Sequence, residues 1–290
     1  MEKKKLTVPD LLRIKREKKK IVLLSVPDAT TADLAERAGV DIVCLGDSLG
    51  MVTLGYSTTI PVTMDDMVRH GQAVRRGAPN TFLLACMPYQ SYQTPEVALH
   101  NAARFMQEVG ADAVKIQGGQ RVKHIIKAIS EAGIPCMSHI GLVPHTVALI
   151  GGFKVQGRTA DDAMKIYDDA FAIQEAGAIG IEIEAIPPAV TETITTDLDI
   201  ITYGIGAGSE CDGQILIAWD MLGFFDLFKP KFVKRYASMA QIAIQAISKY
   251  ADEVRKGEFP EAEHTYMMDE NELRKFKENA AVKKTELKKC

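Results

Sequence analysis

A lysine and an amide stand two residues apart in the stretch GADAVKIQGGQ, residues 110–120. The stretch is typical of a helix end, a strand and a glycine turn, so Lys115 and Gln117 are expected on one face at the strand's end. A cation beside an amide in that position indicates a small-molecule site. The amide is unusual, because a carboxylate at the same place would make a metal ligand.

Polar residues also end other apolar runs, at Asp28, Asp47 with Ser48, Cys86, His139 and Glu184. Some have a structural alternative, since Asp28 would serve equally well as a helix N-cap and a single histidine is more often a core residue. Glu182 and Glu184 alternate along one strand and point to the same side, where a carboxylate is costly without a partner. We therefore predict function for Glu184, nearer the strand's end, and leave Glu182 open.

Short β-branched runs alternate with helical segments along most of the chain. The predicted strands are 21–28, 41–47, 81–88, 113–119, 134–142, 179–187 and 200–208, with a weaker eighth run at 214–220. Repeated strand–helix units predict a parallel sheet. Because the units follow one another without interruption and no GxGxxG follows the first strand, they favour a closed (β/α)₈ barrel over a dinucleotide-binding sheet. In such a barrel the active site lies at the carboxyl ends of the strands.

Composition limits the partners. The chain has 290 residues, 47% of them hydrophobic, and a formal charge of −3. That charge gives no electrostatic reason to expect nucleic acid or an anionic membrane. We see no apolar run typical of a signal peptide or a membrane span, so we expect a cytoplasmic protein. The five cysteines form no CxxC pair, which argues against a disulfide framework.

Several motifs are more specific together than any one alone. They include GDSLGM (46–51), STTIPVTMDDM (57–67), AVRRGAPN (73–80), VKIQGG (114–119), HIGLVPH (139–145), GGFKVQGR (151–158) and FPEAEH (259–264). In their order and spacing the sequence resembles the ketopantoate hydroxymethyltransferase family, from about residue 6 to residue 266. The resemblance implies an α/β fold, a (β/α)₈ TIM barrel of the phosphoenolpyruvate/pyruvate-binding superfamily. We expect one domain over 1–268 with flanking C-terminal helices, and a charged tail over 269–290 that is helical or disordered.

The resemblance also implies an activity. Such transferases bind Mg²⁺, enolise 2-oxoisovalerate and add a one-carbon unit from 5,10-methylenetetrahydrofolate, giving ketopantoate for pantothenate biosynthesis. A ring-like homo-oligomer, a decamer or similar, is implied as well.

By position in the family motifs, each candidate residue takes an implied role. Glu184 matches the general acid/base and His139 a pocket histidine, which makes these two the catalytic candidates. Asp47 matches a metal ligand, and Ser48 and Lys115 match substrate contacts. We assign Asp47 to the substrate pocket as well.

Two positions depart from the family pattern. Cys86 and Gln117 stand where the family carries an aspartate and a glutamate at the metal site. Only one of three carboxylates then remains, and a thiol is a poor ligand for Mg²⁺. We keep Gln117 as a metal ligand through its carbonyl and Cys86 as a substrate contact. The departure implies weaker Mg²⁺ binding, another divalent ion, or a changed reaction.

Three functions therefore stay open. The leading one is a divergent hydroxymethyltransferase. The second is a carbon–carbon lyase, hydrolase or transferase on another 2-oxo acid, in which Cys86 acts as acid, base or nucleophile with a pKa lowered by Lys115. The third is a catalytically silent oxo-acid-binding paralogue. The retention of Asp47, Lys115, His139 and Glu184 argues against this third function.

Overall fold

Eight parallel strands close into a barrel in the computed structural model, which describes residues 4–287. Each strand pairs with its neighbours in chain order, and β8 pairs with β1. The strands are β1 Ile21–Ser25, β2 Ile42–Leu45, β3 Phe82–Cys86, β4 Ala113–Lys115, β5 Cys136–Gly141, β6 Gly180–Glu184, β7 Ile201–Ile205 and β8 Gly213–Ile217. The predicted barrel is confirmed, including its weakest strand.

The strands form where apolar residues run without alternation. Every residue of β2 and of β3 is buried, as expected for a parallel sheet covered on both faces. Each strand ends before its predicted end, because the last residues of those runs belong to the loops at the carboxyl rim. Of the seven predicted site residues, Asp47, Ser48 and Gln117 therefore lie in these loops and the other four lie in the strands.

Helices lie between the strands and at the C-terminal end of the chain. They are α1 Val8–Arg16, α2 Ala29–Arg37, α3 Leu49–Val52, α4 Met64–Gly77, α5 Pro95–Arg104, α6 Lys123–Glu131, α7 Val147–Ile150, α8 Ala160–Glu175, α9 Pro188–Asp197, α10 Ala218–Leu222, α11 Met239–Lys256 and α12 Glu270–Leu287. Local capping fixes several starts, as at α4, where Thr63 and Asp66 form a reciprocal capping box. Asp28 caps α2 by accepting from the backbone N–H of Thr31. The interpretation of Asp28 as a helix N-cap is therefore the correct one.

Glycine also ends one of the helical segments. A π-turn, Phe105–Val109, continues α5 as far as Gly110, whose φ is 72°. This left-handed conformation favours glycine over residues with a Cβ.

The chain divides into two compact units, one up to Ser238 and one from Met239. The first contains the whole barrel, and the second contains α11 and α12, so the domain predicted over 1–268 spans parts of both. Most of the predicted tail is the helix α12, and Cys290 lies outside the described residues. Among residues 4–287, no helix is both long and apolar enough to cross a membrane.

Candidate active site

A cavity of about 390 Å³ opens at the carboxyl ends of the barrel strands. Six of the seven predicted site residues line it, namely Asp47, Ser48, Lys115, Gln117, His139 and Glu184. The strands bring them together although they are distant in sequence, because parallel strands all end at the same rim. Cys86 is the exception, and Glu182 lines the cavity in addition.

Lys115, the last residue of β4, forms a buried ion pair with Glu182 of β6, Nζ to Oε2. Both residues are 5% exposed. Burial alone would lower the pKa of Lys115, but the ionised Glu182 beside it helps to outweigh burial and raise the pKa. Burial likewise opposes ionisation of Glu182, yet Lys115 and His139 keep its pKa low. Glu182 therefore holds a charged lysine in the pocket, and among residues 4–287 it is the one hydrogen-bond partner of Lys115 Nζ, so two of the three N–H donors remain for a ligand.

Glu184 ends β6 beside His139 of β5, with Oε2 3.0 Å from Nε2. The approach is not aligned as a hydrogen bond, and both ring nitrogens of His139 are buried without a hydrogen-bond partner among the described residues. Burial raises the pKa of Glu184 and the nearby His139 only partly offsets it. A carboxyl whose pKa is raised toward neutrality is suited to general acid/base catalysis.

His139, Glu182 and Glu184 also form a group that could hold a divalent metal ion. One ligand atom from each lies within 4.8 Å of the others. An imidazole nitrogen suits a borderline ion such as Zn²⁺, and the two carboxylates also suit a harder ion such as Mn²⁺.

Asp47 follows β2 and accepts two hydrogen bonds on one oxygen. Its Oδ2 lies 2.7 Å from His145 Nε2 and 3.2 Å from Gln117 Nε2. The amide oxygen of Gln117 accepts from the backbone N–H of His145 at 3.2 Å. Because a backbone N–H can only donate, it fixes which end of the amide is oxygen, and the NH₂ group must face Asp47. Burial alone would raise the pKa of Asp47, but the His145 hydrogen bond and the Lys115 cation keep it low.

His145 and Tyr92 were not predicted as site residues. The Tyr92 hydroxyl lies 2.7 Å from His145 Nδ1, and burial raises the pKa of that hydroxyl, so it stays protonated. His145 belongs to the quoted motif HIGLVPH, which was the available signal. His145 lies in the loop after β5 and not at the end of the strand, so the strand pattern did not place it beside Asp47.

Cys86 ends β3 but is fully buried, with its Sγ 3.6 Å from that of Cys44 on β2. Burial and the Cys44 contact raise the pKa of Cys86 well above its usual value. The lowered pKa expected from Lys115 is therefore wrong, because burial outweighs that cation. A neutral thiol outside the cavity lining is unsuited to act as a nucleophile.

Cys44 and Cys86 should consequently resist alkylation. Native protein treated with iodoacetamide at pH 8 is expected to leave both thiols unmodified, because the reagent attacks thiolates and neither sulfur is accessible. Peptide mass mapping checks this, with urea-unfolded protein as the control in which both react. Rapid labelling of Cys86 in the native protein would contradict the raised pKa.

The family model for ketopantoate hydroxymethyltransferase matches residues 5–262. The chain belongs to the ketopantoate hydroxymethyltransferase family. A 3-methyl-2-oxobutanoate hydroxymethyltransferase 1 of Methylibium petroleiphilum is 56% identical over 275 residues, covering 95% of this chain and 94% of that protein. The enzyme of that name from Alkaliphilus metalliredigens is 50% identical over 264 residues, with 91% and 93% covered.

Solved structures agree with this family's barrel. Phosphoenolpyruvate phosphomutase from Streptomyces platensis subsp. rosaceus matches with a TM-score of 0.60 at 14% identity, over 98% of this chain and 99% of that one. Phosphonopyruvate hydrolase, solved with oxalate and Mg²⁺, matches with a TM-score of 0.59 at 13% identity, over 97% and 99%. At such low identity these likenesses show a shared fold and no more.

The residues at the position that the resemblance assigns to the metal fit Mg²⁺ poorly. Mg²⁺ requires near-octahedral oxygen ligands, but Oδ2 of Asp47 is taken by two N–H donors, which leaves Oδ1 as its one oxygen without such a donor among residues 4–287, and Gln117 turns its NH₂ group toward Asp47. Cys86 adds only a neutral thiol, paired with Cys44. A metal role for Gln117 stays a prediction, and it requires the amide to rotate and release His145.

Proposed function

We propose that this protein makes ketopantoate from 2-oxoisovalerate, with 5,10-methylenetetrahydrofolate as the one-carbon donor. The observation that carries the proposal is Glu184, a partly buried carboxylate with a raised pKa, 13% exposed, on the wall of the cavity of a hydroxymethyltransferase-family barrel.

Glu184 is the base in the first step. It takes the proton from C3 of the oxo acid, the electrons of the C–H bond form the C2–C3 double bond, and the π electrons of the carbonyl move to the keto oxygen as the enolate forms. The Lys115 ammonium lies on the same cavity wall and stabilises the negative charge on that oxygen, since Glu182 holds the lysine in position. Electrostatic stabilisation of this kind is strongest where water is excluded.

The second step forms the carbon–carbon bond. Water adds its oxygen to the methylene carbon of the donor, both carbon–nitrogen bonds of the bridge break, and tetrahydrofolate leaves with the two protons of the water on its nitrogens. C3 of the enolate attacks the one-carbon unit released as formaldehyde, the electrons of its C=O bond move to oxygen, and that oxygen takes the proton held by Glu184 to become the hydroxyl of ketopantoate. Ser48 and Asp47 line the cavity near the substrate, and His139 lies 3.0 Å from Glu184, where it can hold or relay the proton that Glu184 gains. No step passes through Mg²⁺ at Asp47. The ring-like homo-oligomer stays a prediction.

Solvent exchange tests the first step without the donor. In D₂O the protein is expected to exchange the C3 proton of 2-oxoisovalerate, and adding 5,10-methylenetetrahydrofolate should then yield ketopantoate, both followed by NMR. A panel of other 2-oxo acids serves as the specificity control. Exchange without ketopantoate would contradict the transfer step, and absence of both would contradict the whole proposal.

A further inference from the structure

We propose that His145 and Gln117 hold the Asp47 carboxylate in place of a metal ion, and that His145 is a positioning residue acting through Asp47. The inference concerns the chain's own hydrogen bonds. It rests on the proposed function only for the identity of the oxo acid in the cavity.

The first support is the saturation of one oxygen. An ionised carboxylate only accepts hydrogen bonds, and Asp47 Oδ2 already accepts from His145 and Gln117. The side chains of Asp47 and His145 are 8% and 4% exposed. An ion at Oδ2 would have to displace both donors and leave them buried without partners, which is costly.

The second support is that donors and acceptors alternate through the whole network. The backbone N–H of Gln117 donates to the Tyr92 oxygen at 3.3 Å. The single Tyr92 proton has two acceptors within reach, His145 Nδ1 at 2.7 Å and the Gln117 carbonyl oxygen at 3.3 Å, and we assign it to the shorter contact. His145 then carries its proton on Nε2, which is the nitrogen that donates to Asp47. With this assignment each of these groups finds a partner with the polarity it needs, so Asp47 Oδ2 needs no ion.

The third support is the packing of the imidazole ring. Tyr92 stacks on His145 with ring centroids 6.0 Å apart, and Tyr89 meets it edge-on at 5.6 Å. Two aromatic neighbours limit the rotation of the ring and keep Nε2 directed at Asp47.

The network also explains why an amide stands at position 117. Gln117 donates to Asp47 with its NH₂ group and accepts from the His145 backbone with its oxygen. A glutamate could accept in the same way but could not donate, and two carboxylates at this separation would repel. Glutamine therefore suits an Asp47 site held by hydrogen bonds, whereas glutamate suits one held by a cation.

The test measures Mn²⁺ binding to the full chain without substrate, by calorimetry and electron paramagnetic resonance. Native protein and Asp47→Asn are expected to bind Mn²⁺ equally, since Asp47 is not a ligand in either. Gln117→Glu and His145→Phe each free Asp47 from a donor and should raise Mn²⁺ affinity at least tenfold. Adding Asp47→Asn to either variant should remove that gain. His124→Phe, at an exposed position of α6, is the matched control and should change nothing.

A fall of tenfold or more in native Mn²⁺ affinity on Asp47→Asn would overturn the proposal, as would no gain in both Gln117→Glu and His145→Phe. Native Mn²⁺ binding could instead be abolished by Glu182→Gln and left intact by Asp47→Asn. That result would place the ion at the group of His139, Glu182 and Glu184 and would support the proposal. If His145→Phe does not fold, the Mn²⁺ affinities of native protein and the near-isosteric Asp47→Asn variant still show whether Asp47 is a metal ligand. Because only the metal is added, these results stand whether or not ketopantoate is the product.

Discussion

Replacing Glu184 by glutamine is expected to lower turnover about 100- to 10,000-fold, with little change in KM for 2-oxoisovalerate. Glutamine keeps the shape of the side chain but cannot take a proton, so the loss falls on the transition state. Because the pKa of native Glu184 is raised by burial, the active carboxylate form is lost as pH falls, starting at a higher pH than for an exposed glutamate. The variant should lose this acid-side dependence together with its activity.

Steady-state kinetics and C3 proton exchange, each measured across pH, check this expectation. Glu192→Gln on α9 is the matched control, since that side chain is exposed and does not line the cavity, and it should keep native kinetics. A Glu184→Gln protein that still exchanges the C3 proton at a near-native rate would remove Glu184 from the mechanism.

Breaking the Lys115–Glu182 pair is expected to cost about 3–5 kcal/mol of the free energy of unfolding in either single variant, Lys115→Met or Glu182→Leu. Each leaves one charge buried in the barrel without its partner. The double variant replaces both charges with apolar side chains of similar volume and should recover most of that stability, while its enolisation activity stays lost with the Lys115 cation.

Urea unfolding of the native protein, both single variants and the double variant gives the coupling energy of the pair. The exposed pair Lys127–Glu131 on α6, 3.7 Å apart, provides a control cycle that should show about 1 kcal/mol or less. If the changes in the free energy of unfolding caused by Lys115→Met and Glu182→Leu simply add in the double variant, the ion pair does not contribute to stability.

The sequence predicts the barrel well because continuous apolar runs and capped helices are local signals. It also places six of the seven candidates around the cavity, since residues at the carboxyl ends of parallel strands meet at one rim. Partners across the barrel are not local. Glu182 was left open because nothing in its own strand shows that Lys115 faces it.

Site residues in loops were the second group that the sequence could not predict. Tyr92 follows β3 and His145 follows β5, and no periodicity indicates that two loops meet over Asp47. The expected reactivity of Cys86 failed for a related reason. A nearby lysine is visible in the strand pattern, whereas complete burial beside Cys44 depends on the packed interior.

The hydrogen bonds around Asp47 also bear on hydrogen exchange. Loop amides normally exchange their protons with solvent quickly, because loops open locally at little cost in free energy. The backbone N–H groups of Gln117 and His145 instead donate to Tyr92 and to the Gln117 side chain, and together they connect the loops that follow β3, β4 and β5. Opening any one of these loops must break bonds to another. The rim over Asp47 should therefore open as a cooperative unit, and its amides should be protected more like those of the strands than like those of free loops.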